Sequence, residues 1–271
     1  MANFVESMEE LATIARKTEA VVREASKLMA REFVIDEKEG CENIVTSSDI
    51  AVQHYLCEHL KDVCPEAGFL CEEEDMSQTG CGWSWIIDPI DGTANYARAI
   101  PESAISVGLR HNEDVVVGVV YCPVLDEMYV GVRGNGSTLN GKPLKVSERT
   151  YRDGIFCTAM STYHKEFAWM CNKILMDIYM QSNDFRRFGS SAMELCFMAA
   201  GRCDLYFEMR LLPWDYAAAS LILTEAGGLI CNLAGDFPSL EHADLVIAAN
   251  CKDSFEKVRH IVRQHVTEMP Y

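Results

Sequence analysis

An α/β sandwich of mixed α+β character is the fold the sequence predicts, and three observations predict it. Two helical stretches precede a crowd of strand-like runs in the first half, and strand-like and helical runs alternate in the second. The third is size: 271 residues, 49% of them apolar, bury a sizeable core as one domain or two closely packed ones.

The elements follow in chain order. In the first 33 residues Phe4, Met8, Leu11, Ala15, Val22, Ala25, Met29 and Phe33 share one helical stripe with charged residues between them, which predicts a long core-facing amphipathic helix. The segment ENIVTSSDIAVQHYLCEHLKDV starts extended and becomes a helix whose entry carries Thr46, Ser47, Ser48 and Asp49. On pattern alone Asp49 is a helix cap. FLCEE, WSWIID, SAISVGLR, DVVVGVVYC and EMYVGV read as strands, with turns at His111 to Asp114 and Pro123 to Asp126, so an antiparallel-leaning sheet on two helices is expected. The turn-rich GNGSTLNGKPLKVSE places the expected boundary near residue 150, dividing 1–150 from 151–271. Beyond it GIFCTAM, DFRRFG, CDLYFE, GLICNL and DLVIAAN alternate with helices expected near 165–180, 191–200, 214–226 and 253–267.

Composition narrows the function classes. A net charge of −17 without a compensating basic patch argues against direct nucleic-acid or anionic-membrane binding. Twelve cysteines form no Cys-x-x-Cys pair and several sit in apolar runs, so they are expected as reduced thiols in a cytoplasmic setting. No apolar run approaches the ~18 residues of a membrane span, and Glu6, Glu9 and Glu10 stand where a secretion signal would be apolar.

The chemistry gathers at WSWIIDPIDGTANY, residues 83–96. Trp85, Ile86 and Ile87 predict a buried strand that ends at Asp88, because Pro89 cannot donate to a ladder. Gly92 permits a tight turn, and Thr93 or a neighbour caps a short helix whose free N–H groups favour an anion. Acids and an anion repel, yet from Asp62 to Ala97 there are eight acids and no Lys or Arg: Asp62, Glu66, Glu72, Glu73, Glu74, Asp75, Asp88 and Asp91. Such crowding either raises carboxylate pKa values or demands a cation, and hard oxygen ligands beside an anionic substrate point to magnesium. Glu74 and Asp75 read as a solvated loop. In PWDYAAASLILTEAGG, Asp215 opens an Ala-rich helix, and it becomes a ligand only if the fold brings it to Asp88 and Asp91.

WIIDPIDGTANY, the acidic pair Glu72–Glu73, PWDYAAASLILTEAGG and NIVTSSD, in that spacing and with a weaker match in LNGKPLKVS, resemble the inositol monophosphatase family of lithium-sensitive, magnesium-dependent phosphatases over nearly the whole chain. The resemblance implies an αβαβα sandwich and two or three magnesium ions. Glu72, Asp88 and the Ile90 carbonyl would hold one, Asp88, Asp91 and Asp215 a second, and Glu72 would share in a weaker third. It also implies that Gly92 and Thr93 cradle the phosphate. Thr93, supported by Asp49, would orient the attacking water, with Glu72 as a further catalytic group and Asp91 and Asp215 also facing the substrate.

Water attack without a phosphoenzyme is expected, since no Ser or Cys sits in a nucleophile motif. The uncatalysed reaction demands up to roughly 20 kcal/mol of barrier reduction, far beyond side-chain acid–base catalysis at about a hundred to ten thousand fold. RRFGSSAMELC resembles the substrate segment, with Gly189, Ser190 and Ser191 near the leaving group, although a Gly turn with a Ser cap explains it equally. Glu208 suits a polyol, which favours inositol phosphates over 3'-phosphoadenosine 5'-phosphate, fructose 1,6-bisphosphate or histidinol phosphate.

Lys38 falls where the family often has a lysine in a metal-site loop, and Arg210 is either a contact to a second anion or a solvated side chain. Cys71 and Glu74 depart from the family pattern beside the acidic pair, and ANYARAIP departs after the central motif. The resemblance further implies a homodimer and, from bacterial relatives, an alternative role as a partner of the transcription machinery. A calcium-binding module is disfavoured, because Asp88 to Thr93 lack the alternating ligands of an EF-hand loop.

Overall fold

Ser7 opens the first helix, α1 (Met8–Ala25), by reciprocal capping: its hydroxyl accepts from the Glu10 N–H and the Glu10 carboxylate accepts from the Ser7 N–H. The computed structural model describes residues 7–29, 33–38, 44–73 and 82–267. Phe4, Glu6, Glu74 and Asp75, named above, lie outside them, as do Cys41 and Cys81 of the twelve cysteines. α1 buries Ile14, Ala15, Thr18, Val22 and Ala25, then tightens into a 3-10 turn, Ser26–Leu28. It is shorter than the stripe predicts. Ser26 turns its hydroxyl back onto the Arg23 carbonyl, a bond that competes with helix continuation. Met8 is exposed, and Phe33 packs instead on Tyr96 with ring centroids 4.8 Å apart.

A small antiparallel pair, β1 (Ile35–Glu37) and β2 (Ile44–Thr46), leads into α2 (Ser47–Val63). Seven strands then form one sheet in chain order: β3 (Gly68–Cys71), β4 (Trp83–Asp91), β5 (Ala104–His111), β6 (Asp114–Cys122), β7 (Glu127–Val132), β8 (Gly136–Leu139) and β9 (Lys142–Pro143). A four-residue helix, α3 (Thr93–Tyr96), interrupts β4 and β5. Within this sheet, among the described residues, β3 and β4 pair in parallel and the other neighbours antiparallel. Alternation sorts the faces: Trp83, Trp85 and Ile87 meet α1 and α2, while Ile86 faces the opposite core.

The second half begins with β10 (Ile155–Thr158), α4 (Ala168–Tyr179), β11 (Asp184–Arg186), α5 (Ser191–Ala199) and β12 (Leu205–Leu211). It closes with α6 (Pro213–Glu225), β13 (Leu229–Cys231), β14 (Asp244–Ala249) and α7 (Lys252–His265). Its sheet has the order β11-β10-β12-β14-β13, with the first three strands parallel. α4 and α7 cover its outer face, and α5 and α6 lie between the two sheets. The layers are therefore α1/α2, seven strands, α5/α6, five strands and α4/α7, the αβαβα sandwich that was expected.

Three glycines bring α6 against the first sheet. Gly108, Gly118 and Gly131 are direct cross-strand partners on β5, β6 and β7. A Cβ on Gly118 would lie 2.4 Å from the Ala218 carbonyl oxygen, and one on Gly131 3.0 Å from the Ile222 Cα. Glycine there lets helix backbone lie on sheet backbone. The gap between β9 and β10 contains residue 150, yet one apolar cluster joins both sheets through α6, including Ile86, Val120, Tyr206, Tyr216 and Val246.

β4 corrects one expectation. It continues past Asp88 to Asp91, with the register shifted between the Asp88↔Ser106 and Asp91↔Ala104 pairs. Pro89 sits in that irregularity, where the ladder needs no donor.

Candidate active site

The bulge at the end of β4 lies between two carboxylates three positions apart, Asp88 and Asp91. The Ile90 N–H donates to Asp88 Oδ1 at 2.9 Å, and Asp88 and Asp91 are 1% and 8% exposed. Gly92 then takes the left-handed conformation (φ +85°) and caps α3. It is hemmed in, since a Cβ would lie 3.0 Å from the Glu102 carbonyl and 3.1 Å from that of Gly189. The Thr93 hydroxyl lies 3.0 Å from the Ile90 carbonyl and 3.2 Å from Asp49 Oδ1, so its single proton chooses between them. Asp49 is both things the sequence allowed. Its other oxygen accepts from the Thr46 N–H at 2.8 Å and from the Thr46 hydroxyl, closing the cap of α2, while it also faces Thr93. Burial raises its pKa above the ordinary value.

The second half closes on this corner. Ser190 caps α5 by accepting from the Met193 N–H, and it donates to Asp91 Oδ2 at 2.6 Å, where the Ala192 N–H also donates at 2.7 Å. Ser191 and Tyr206 donate to Glu208 Oε2 at 3.1 and 2.7 Å. Asp215, third in α6, accepts from the Leu212 N–H at 2.7 Å. Glu72 follows β3, its N–H on the Ile87 carbonyl.

Electrostatics links these acids. Burial first, and then Glu72, Asp91 and Asp215, push the Asp88 carboxyl well above its usual range. Burial, Asp91 and Glu72 do the same to Asp215. Asp91 is pushed up to about 7 by burial against the opposing Ser190 and Ala192 bonds. Carboxylates from β3, β4 and α6 thus act on one another in a region that would rather hold protons or cations than bare charge. Lys38 supplies part of the compensation, 3.1 Å from Glu72 and 2.6 Å from Glu73. Burial opposes its charge, but the two glutamates outweigh it and raise its pKa. Glu73 is itself pushed up to about 7, by burial and by Glu72.

Among the described residues no three His, Cys, Asp or Glu side chains already surround a common point as a metal shell. Main-chain N–H groups hold one oxygen each of Asp88, Asp91 and Asp215, and Lys38 draws Glu72. The donor set still fits a hard divalent cation: the buried carboxylates of Asp88 and Asp91, the partly buried ones of Glu72 and Asp215 acting on Asp88, and the Ile90 carbonyl.

Several residues escaped the sequence reading. Asn95 donates to the Glu102 and Phe188 carbonyls at 2.7 and 2.6 Å, clipping α3 to the segment before α5. From the other side Glu194 Oε1 accepts from the Phe188 and Gly189 N–H groups at 2.6 and 3.2 Å. Gly189 adopts φ +82° between them. Asn95 stands inside the central motif, but its Phe188 partner is 93 positions away and leaves no local signal. Arg210, on β12, acts electrostatically on Glu166. Cys71 lies against Cys57, with sulfurs 3.6 Å apart. The ten described cysteines are all free thiols, and among the described residues no helix is long and apolar enough to cross a membrane.

Comparison with known proteins gives the same picture. Residues 5–267 match the model of the inositol monophosphatase family. The curated protein Nus factor SuhB of Escherichia coli K12 is 34% identical over 220 residues, 79% of this chain and 82% of its own. The crystal structure of the suppressor protein suhB from Bartonella henselae superposes with a TM-score of 0.81 at 28% identity, covering 96% of this chain and 99% of that one. Inositol monophosphatase from Anabaena (Nostoc) sp. PCC 7120 gives 0.82 at 27% identity, covering 94% and 97%.

Proposed function

Because the chain belongs to the inositol monophosphatase family, whose phosphatases are metal-dependent, we propose that it hydrolyses a small polyol phosphate, inositol 1-phosphate foremost, with magnesium. The observation that carries this reading is the pair of buried carboxylates, Asp88 and Asp91, at the β4 bulge, with Asp91 held by Ser190 and Ala192 beside the Gly92–Thr93 turn. Glu72, Asp88, the Ile90 carbonyl, Asp91 and Asp215 would hold two or three magnesium ions, which supply Lewis acidity toward water and phosphoryl oxygens when bound.

The chain's own groups do the rest. The N–H groups of Gly92 and Thr93 cradle the phosphate. The Thr93 hydroxyl orients the attacking water, and Asp49, in contact with that hydroxyl, receives the proton it passes on. Ser190 and the Ala192 N–H hold Asp91 in one orientation, so that this carboxylate is fixed in advance. Glu208, with one oxygen occupied by Ser191 and Tyr206, accepts from a hydroxyl of the leaving group, supporting a polyol over a second phosphate. The free thiols and acidic composition support a cytoplasmic setting, and a homodimer completes the proposed assembly.

The test is a panel of inositol 1-phosphate, 3'-phosphoadenosine 5'-phosphate, fructose 1,6-bisphosphate and histidinol phosphate, ranked by kcat/KM with and without magnesium. Inositol 1-phosphate should lead and magnesium should be required. A clear preference for the adenosine bisphosphate overturns the role given to Glu208.

The relatives named Nus factor SuhB support a second reading, that the chain also partners the transcription machinery. Asp91→Asn separates the two: it should abolish turnover yet retain any binding to purified transcription complexes.

A further inference from the structure

The C-terminal ends of β10, β11 and β12 emerge along one edge of the second sheet. Thr158 pairs with Phe207, so Glu208 is the next residue out, and Cys157 pairs with Arg186, so Arg187 follows there too. Ligands of α/β sheets bind outside the carboxyl ends of parallel strands. The chain leaving β10 turns at this edge. Ala159 and Ser161 are buried, Ser161 has φ +50°, and the His164 N–H donates to the Ser161 carbonyl at 2.9 Å, which puts Thr162 and Tyr163 at the tip.

The turn is tied down on three sides. The Thr158 hydroxyl donates to the Phe207 carbonyl at 2.8 Å, the Arg187 guanidinium donates to the Thr162 hydroxyl at 2.9 Å, and the Ser161 hydroxyl lies 3.5 Å from the Cys171 thiol. Arg187 also acts electrostatically on Glu208, so the turn and Glu208 border the same space. A fixed turn thus presents Tyr163, 61% exposed, at the same sheet edge as Glu208 and Arg187. Partial burial first, and then Glu72, Asp215, Asp91 and Asp88, raise the pKa of its phenol. It remains a neutral hydrogen-bond donor throughout the ordinary pH range.

We propose that Tyr163 determines specificity, its ring walling the leaving-group side of the cleft and its hydroxyl donating to one hydroxyl of a polyol while Glu208 accepts from another. A donor and an acceptor presented at one sheet edge select a leaving group with several hydroxyls over one with none. The inference rests on the phosphatase reading above and extends it to a residue outside the motifs.

The experiment uses the full chain with magnesium and two substrates, inositol 1-phosphate and 4-nitrophenyl phosphate, whose leaving group has no further hydroxyl. Tyr163→Phe should lower the ratio of their kcat/KM values about tenfold, as expected for one lost hydrogen bond. Tyr163→Ala should lower kcat/KM for both, because the wall is gone as well. Retention of the wild-type melting temperature checks that each variant folds. An unchanged ratio in Tyr163→Phe, with active wild type, overturns the role of Tyr163 alone. A wild type that hydrolyses only 4-nitrophenyl phosphate overturns the donor–acceptor pairing, and one that hydrolyses neither overturns the phosphatase reading and this inference together.

Discussion

Ser190 donates a 2.6 Å hydrogen bond to Asp91, 99 positions earlier in the chain, and so fastens the N-terminus of α5 to the acidic corner of β4. Ser190→Ala leaves the Ala192 N–H as the remaining named donor to that buried carboxylate. A stability loss of about 1–3 kcal/mol is expected, read by denaturant unfolding. With less to stabilise the ionised form, the acid limb of the kcat/KM profile should move to higher pH.

Gly92 combines φ +85° with main-chain carbonyls of Glu102 and Gly189 at 3.0 and 3.1 Å from where a Cβ would lie. Gly92→Ala should therefore cost about 2–4 kcal/mol, combining left-handed strain with overpacking. Turnover should fall with it, since this turn is the proposed phosphate cradle. A variant with wild-type stability and activity contradicts that geometry.

Gly118 tests the seating of α6 one turn beyond Asp215. A methyl there meets the Ala218 carbonyl oxygen at 2.4 Å, and the contact is backbone, so the helix must shift. Gly118→Ala should destabilise the protein by about 1–3 kcal/mol. Because α6 carries Asp215, magnesium affinity measured by calorimetry should also weaken.

Asp91 and Glu73 are both pushed up to about 7. Their unfolded values lie near 4, so the native state binds these protons more tightly than the unfolded chain. The stability they contribute is complete below about pH 4 and is lost as pH rises through about 7. In the metal-free protein, between the acid limit set by other carboxylates and pH 8, melting should therefore decline with rising pH, by an amount on the order of 5 °C. Magnesium at pH 8 should restore it, and magnesium affinity should drop below pH 7 as protons compete. A flat melting profile from pH 5 to 8 in the metal-free protein rules this out.

Lys38 holds Glu72 and Glu73 at 3.1 and 2.6 Å. Lys38→Met removes the cation and leaves Glu73, whose side chain is 2% exposed, with uncompensated charge. The metal-free variant should melt lower than the parent at pH 8, and the deficit should shrink at pH 5, where Glu73 takes up a proton.

Much of this molecule was legible from residue order because the relevant forces are local. The apolar run Trp85–Ile87 reported a buried strand, and Thr46 with Asp49 reported a helix start; both depend on neighbours within one turn or one pleat. The extent of β4 beyond Pro89 was not legible, since a bulge is visible only against its partner strand.

What the sequence by itself determined is the layered α/β architecture and an acid-rich turn suited to a cation and an anion. The roles of individual residues came from the resemblance to a known family. The tertiary structure alone decided which distant groups face that turn: Asp215, seated because three paired glycines admit α6, and Ser190, Asn95 and Glu194, which fix the α5 corner. The physical reason is range. Helix and strand preferences act over a few residues, whereas carboxylate repulsion, close backbone packing and cross-chain hydrogen bonds depend on distances that exist only once the sheets have stacked.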